Sequence, residues 1–151
     1  MKNILNNLIF AFIIFLSNNS FSQGDEKSNA LVLSNLSNYI SNSGLYTNEN
    51  ASATNQGVCP LASCWTDSTE SIDVWFKFIS VGSDVMITVN GLGISSGSTL
   101  KEPSLALYLG TNPTLTELKC SKSINGNNMN TLLQGGLSLA TTYFIRVTTT
   151  I

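Results

Sequence analysis

Apolar and polar residues alternate with a period of two along much of the chain after residue 70. Successive side chains of a strand point to opposite faces, so this alternation predicts strands with one face packed. The clearest case is Ser71–Ser80, SIDVWFKFIS. Val74, Phe76 and Phe78 share a wholly apolar face, expected to meet a core. Trp75, Lys77 and Ile79 share the other, which suits a half-covered surface. β-Branched and aromatic residues dominate, and the run is too short for a typical helix. Ile72–Ile79 is therefore expected to be the central strand of the fold.

The remaining strands follow in series. Asp84–Asn90 (DVMITVN) turns Val85, Ile87 and Val89 inward against Met86 and Thr88. Val81-Gly82-Ser83 reads as a tight turn, predicting an antiparallel hairpin between these two strands. Ser104–Leu109 (SLALYL) puts Leu105, Leu107 and Leu109 on one face. Gly110–Pro113 turns the chain into Thr114–Cys120, where Leu115 and Leu118 are apolar. Thr131–Leu133 is a short strand before Gly135-Gly136, and Thr141–Thr149 is the last. Ala30–Ile40 fits a first strand or a short helix, and periodicity leaves both open. Ser41–Gln56, Gly91–Lys101 and Ser121–Asn130 are polar loops, and Gly57–Thr69 is an irregular connection. Short strands between turn signals, with no βαβ alternation, heptads or fixed repeat, predict one all-β domain. The fold class expected is an antiparallel β-sandwich.

The first residues change the picture of where this domain works. Leu8–Leu16 (LIFAFIIFL) is an unbroken apolar run after a short polar stretch carrying Lys2, and Ser20-Phe21-Ser22 supplies small residues at a cleavage site. This pattern predicts a secretory signal over residues 1–22. Nine apolar residues fall well short of the roughly 20 that a spanning helix needs, so no membrane span is expected in the mature chain. Gln23–Asn29 is polar and expected to be a flexible mature N-terminus, the segment 23–42 preceding a domain over 43–151. The whole chain carries a net charge of −2. No basic stripe or arginine cluster points to nucleic acid. The chain stops at Ile151 in or just after a strand, which suggests a longer reading frame.

Candidate chemistry is sparse. Export permits disulfides, and Cys59, Cys64 and Cys120 allow one bridge with one thiol left over. Cys59–Cys64 would close a small loop around Pro60, and Cys64–Cys120 would join distant segments. Zinc is a poor fit, since the chain has no His and Cys120 stands apart from the other two. The same lack of His removes the usual base of a nucleophilic triad. Glu70 and Asp73 could supply paired carboxylates, but both flank a strand start, where acids are commonly solvated. Catalysis is not expected within these residues. Calcium fits better. Thr47-Asn48-Glu49-Asn50 is a loop of hard oxygen donors, and Asp73 would complete a set if that loop folds against the strand start. The competing reading is a loop bonding its own backbone. Trp65, Trp75, Tyr108 and Tyr143 are candidates for stacking on sugar rings. Trp75, Tyr108 and Tyr143 sit inside strands, where packing is the simpler role. Trp65 lies in a loop and is the ligand-binding candidate. Arg146 is expected to form a salt bridge or hydrogen bonds on the outer face.

The order of motifs resembles a known family. Asp73-Val74-Trp75-Phe76-Lys77-Phe78 resembles the D/S-V-W-Y/F-K-F strand of secreted β-sandwich modules of Bacteroidetes-type bacteria. Leu105-Ala106-Leu107-Tyr108-Leu109-Gly110 is similar to their L-A-V-Y-x-G strand, and Leu115–Cys120 to their L-x-x-L/I-x-C strand. Gly136-Leu137 with Thr142–Val147 is similar to their G-L-x-x-G-T-x-Y-Y-I-R-V ending. These modules resemble pre-peptidase C-terminal domains, jelly-roll-like sandwiches appended to secreted peptidases and adhesins. The resemblance spans roughly Ser43–Val147. It departs at Ala140-Thr141, where the family often has Gly, and at Thr111-Asn112-Pro113, where it often has a Cys paired with the next strand. Cys120 thus lacks its usual local partner, leaving a bridge to Cys64 or a free thiol. The resemblance also implies calcium near the N-terminal segment. The function implied is a non-catalytic accessory module, secreted or at the cell surface, binding extracellular polysaccharide or a surface protein. A structural adhesion spacer, or the leading part of a secreted hydrolase, are the alternatives.

Overall fold

The computed structural model describes residues 23–34, 36–54, 59, 61–65, 72–91, 100–110, 114–124 and 126–149. The expected signal over 1–22, Pro60, Glu70, residues 92–99, the 111–113 turn and Ile151 lie outside them.

Seven strands form two sheets. They are β1 (Leu31–Val32), β2 (Asp73–Ile79), β3 (Val85–Asn90), β4 (Pro103–Leu109), β5 (Thr116–Lys122), β6 (Met129–Gln134) and β7 (Thr142–Thr149). The first sheet has the order β1-β2-β7-β4-β5, and the second is the pair β3-β6. Single 3-10 turns at Lys27–Asn29 and Leu36–Asn38 are the helical elements of the described residues. The all-β sandwich and the strand positions agree with the alternation. Ala30–Ile40 resolves into a two-residue strand followed by a 3-10 turn.

Three expectations about assembly are corrected. β7, not β2, is the middle strand, with β2 and β4 antiparallel on its two sides. The sheet is not wholly antiparallel, because β1 lies parallel to β2, Leu31 opposite Phe76. The β2–β3 hairpin does not form. β2 has β7 along the whole of one edge, and β1, Gly24 and Ser52 along the other, so β3 is displaced from both. Residues 80–84 instead carry the chain from one sheet to the other. There Ser80 N–H donates to Thr141 O at 3.0 Å and Leu137 N–H donates to Ser83 O at 2.8 Å.

The core lies between the sheets. Val74, Phe76 and Phe78 of β2, Leu105 and Leu107 of β4, and Tyr143, Ile145 and Val147 of β7 are buried there with Leu132 of β6. Val85, Ile87 and Val89 pack on this cluster as the period predicts. Burying each such side chain is worth about 1.5–3 kcal/mol. Tyr143 also supplies a polar handle, its hydroxyl accepting from Ser138 N–H at 2.8 Å.

Two strands cannot cover five, and the N-terminal segment makes up part of the second layer. Leu31, Leu33, Leu36, Tyr46 and Ala51 pack on the same core. Tyr46 meets Phe76 edge to face, ring centroids 4.9 Å apart. The expected flexible stretch at 23–29 is pinned as well. Gly24 O accepts from Trp75 N–H at 2.6 Å, and Asp25 accepts from Ser52 N–H and Oγ. Gly24 has φ +73°, and a Cβ there would lie 2.6 Å from Trp75 O, so a side chain has no room. Gly24, Asp25, Leu31, Leu33 and Leu36 are therefore part of the sandwich.

The Tyr46 strap has a pH signature. Burial, then the hydrogen bond and charge of Tyr39, push the Tyr46 phenol up to about 12. An unfolded tyrosine titrates at about 10. The neutral phenol is thus favoured by folding. Its contribution is complete below the unfolded value and lost as pH rises through the folded one. Thermal melts across this alkaline window should fall more steeply for the wild type than for Tyr46→Phe. Parallel declines would show that the phenol makes no difference.

Candidate functional site

The outer face of the five-stranded sheet holds a buried cluster of polar and aromatic side chains. Cross-strand register builds it. Trp75 of β2 lies opposite Arg146 of β7, Arg146 opposite Ala106 of β4, and Ala106 opposite Cys120 of β5. One row across four strands therefore reads Trp-Arg-Ala-Cys. Ala106 is small and leaves space above the sheet at its centre. Asp73 and Tyr108 share this face two residues along from Trp75 and Ala106.

Residues 52–54, 59 and 61–65 close over that row. Cys64 is bridged to Cys120 with Cα atoms 5.9 Å apart, and Cys59 is free and buried. The bridge brings the neighbouring Trp65 over the sheet, 4.8 Å from the guanidinium carbon of Arg146 to its ring centroid. Trp75 lies 5.4 Å from the same carbon, so the cation meets two indole rings, one from β2 and one from the bridged segment. Ser63 anchors the segment further, its N–H donating to Glu117 at 2.8 Å.

Arg146 donates to Asp73 at 2.6 Å, and both side chains are fully buried. Asp73 also accepts from Thr54 N–H at 3.1 Å and from its hydroxyl, while Thr54 Oγ1 accepts from Trp75 Nε1 at 2.7 Å. Burial works against the Arg146 charge, but the Asp73 hydrogen bond and charge outweigh it and hold its pKa above the ordinary value. Such a pair tolerates burial because both ions are compensated in place.

The sequence-derived candidates can now be located. Trp65 is a correction. An exposed ring was expected for sugar stacking, but only 7% of the residue is exposed, and the ring is used on Arg146. Trp75, Tyr108 and Tyr143 are buried too, consistent with packing. Loop 47–50 does approach the start of β2 through Ser52, whose carbonyl lies 3.5 Å from Asp73 N. The Asp73 carboxylate is turned to Thr54 and Arg146 instead. Within the loop Ala51 N–H donates to Asn48 O and Glu49 N–H to Thr47 Oγ1, so part of its polarity serves its own backbone. Asn48 is buried, and Asn50 adopts φ +61°. Among the described residues no group of three or more His, Cys, Asp or Glu side chains is placed to hold a metal ion.

Sequence reasoning missed Thr54, Cys59 as a core residue, and Lys27. Lys27 is buried, its Nζ without a hydrogen-bond partner. Burial raises the Cys59 thiol pKa, while the charges of Arg146 and Lys27 pull it down without cancelling the rise. The thiolate is the reactive form, so Cys59 should stay unmodified by iodoacetamide at neutral pH in the native protein. One equivalent should be taken up after denaturation without reductant. Alkylation of the folded chain at the rate of a free thiol would contradict this burial.

Two facing sheets with a closed outer cluster define an all-β sandwich. No family model, curated protein or solved structure matches the chain.

Proposed function

We propose that the chain is a non-catalytic accessory module of an exported bacterial protein, acting by surface contact, with protein favoured over polysaccharide as its partner. The observation that carries the preference is the burial of Trp65, Trp75, Tyr108 and Tyr143. A glycan platform needs an aromatic face open to solvent, and these four are committed to packing. Arg146 and Asp73 neutralise each other inside the same cluster, which suits a scaffold better than an acid–base pair. The Cys64–Cys120 bridge fits an oxidising compartment. In this reading residues 1–22 are a secretory signal. The sandwich is of the jelly-roll kind, similar to pre-peptidase C-terminal modules, and serves as an adhesion or spacer unit. Calcium enters only through Asn48, Glu49, Asn50 and backbone carbonyls, since Asp73 is already engaged by donors.

The test is expression of the full chain in a Gram-negative host. The expected product is periplasmic, begins at Gln23 and is bridged at Cys64–Cys120. It should be retained by cell envelopes, lose that retention when the envelopes are treated with protease, and migrate unretarded in polysaccharide-containing gels. Retardation by a polysaccharide would reverse the partner preference. Turnover of chromogenic ester, peptide or glycoside substrates, or an uncleaved cytoplasmic chain, would overturn the reading.

A further inference from the structure

Four strands end a sheet in the described residues, β1 and β5 in the first and β3 and β6 in the second, and they are not equally guarded. β1 has only two residues. β5 carries Glu117, Lys119 and Lys122, and its pairing with β4 shifts register at Leu107/Tyr108. Short length, charges and irregularities are the usual protections of an exposed edge. β3 has none of them. Its six residues, VMITVN, contain no charge, proline or glycine, and four are β-branched.

The hydrogen-bond phase of β3 shows which groups are open. Gly91 N–H donates to Asn128 O at 2.7 Å, continuing the register in which Asn90 faces Met129 and Val85 faces Gln134. Antiparallel pairs alternate between bonded and non-bonded positions. Val85, Ile87 and Val89 therefore spend their backbone groups on β6. Met86, Thr88 and Asn90 direct theirs away from it. β6 has a neighbour on its far side, where Ser121 of β5 donates to Asn130 at 2.7 Å and Asn130 Nδ2 donates back to Ser121 O. Burial follows the same asymmetry. Leu132 of β6 is 1% exposed, while Ile87, opposite it on the core face, is only half-buried.

We propose that the β3 edge pairs with β3 of a second copy of this chain, antiparallel about a two-fold axis through Thr88. Among the self-complementary bonded registers, one pairs all three of the open residues Met86, Thr88 and Asn90 in both copies. Thr88 faces its own equivalent, and Met86 faces Asn90 of the other copy at each end. The result is a continuous four-stranded sheet, β6-β3-β3-β6. A copy of itself fits this edge because self-pairing of an antiparallel strand sets some residue against its own twin. A charge there would repel, and here the residue is a threonine. Ile87 would face Val89 of the other copy, extending the apolar inner layer. One six-residue pairing buries less than the roughly 1,200–2,000 Å² of a stable specific complex. The association is therefore weak and concentration-dependent.

Sedimentation equilibrium of the chain from residue 23 to residue 151, over a wide range of concentration, tests this. The mass should rise from monomer towards dimer and stop there. Thr88→Lys should abolish the rise by placing two ammonium groups face to face. Thr131→Lys is the control. Thr88 and Thr131 hydroxyls are 3.0 Å apart on the exposed face of the β3–β6 pair, so both variants lose the same contact. Only position 88 lies on the axis. Met86→Lys combined with Asn90→Glu should keep the dimer and make it salt-sensitive, since that register sets opposite charges across both ends. A monomer at every concentration, as when residues 92–99 cover the edge, would overturn the proposal. So would equal effects of Thr88→Lys and Thr131→Lys, or growth beyond the dimer.

Discussion

Asp73→Ala is expected to destabilise the protein by about 3–5 kcal/mol, the range for breaking a buried ion pair from one side. The loss comes from what is left behind. Arg146 would keep its charge with no counter-ion at a position of zero exposure, and Thr54 N–H would lose its acceptor. Arg146→Met should cost a similar amount, because Asp73 would be stranded instead and the contacts with Trp65 and Trp75 would lose their cation. A typical domain has only about 5–15 kcal/mol in total, so either variant should approach the limit of folding. Combining Asp73→Leu with Arg146→Met removes both charges together. Its cost should fall well below the sum of the single changes, leaving chiefly the orphaned Thr54 N–H at about 1–3 kcal/mol. Urea unfolding followed by Trp fluorescence measures all of these on one scale. Single-variant losses under about 1 kcal/mol would mean that the pair behaves as a solvated surface bridge.

The second large effect is expected from the Cys64–Cys120 bridge. It spans a sequence separation of 56, and loop-closure entropy for a loop of that size amounts to about 4 kcal/mol. Cys120→Ser, or reduction of the wild type, should lower stability by about 2–4 kcal/mol once residual structure of the unfolded chain is allowed for. Here the bridge does more than shorten the unfolded chain. It holds the segment carrying Trp65 over Arg146, so its removal should also weaken the cation–ring contact. That predicts a specific coupling. Trp65→Leu should cost less in the Cys120→Ser background than in the bridged protein. Equal costs in both backgrounds would show that the segment stays in place without the bridge.

Strand positions were legible from short β-branched and aromatic runs between turn signals; burial alternates with a period of two along β3 and most of β6, while β2, β4 and β7 are buried on both faces. The faces of β2 were legible because successive side chains of a strand alternate. Val74, Phe76 and Phe78 enter the core, while Lys77 and Ile79 remain at the other surface. Which strands pair was not legible. Val81-Gly82-Ser83 has hairpin chemistry, yet β2 and β3 separate because β7, 75 residues away where Asp73 lies opposite Thr148, claims the edge that a hairpin would use. Local turn preference is a matter of tenths to a few kcal/mol. A seven-residue pairing on each side of a buried strand outweighs it.

The site follows the same division. The sequence alone determined an all-β chain with alternating strands, three thiols of which at most two could pair, and no His for a general base. Each of these is a property of residue type or local spacing. Tertiary structure decided that Cys64 takes Cys120, that Trp65 is buried rather than open, and that Asp73 meets Arg146 and not a cation. It also decided that residues 24–34 and 36–51 belong to the sandwich. Those outcomes depend on cross-strand register, which sets Trp75, Arg146, Ala106 and Cys120 in one row. Register is a long-range quantity. It is chosen by the packing of the whole core, and no single stretch of the chain carries it.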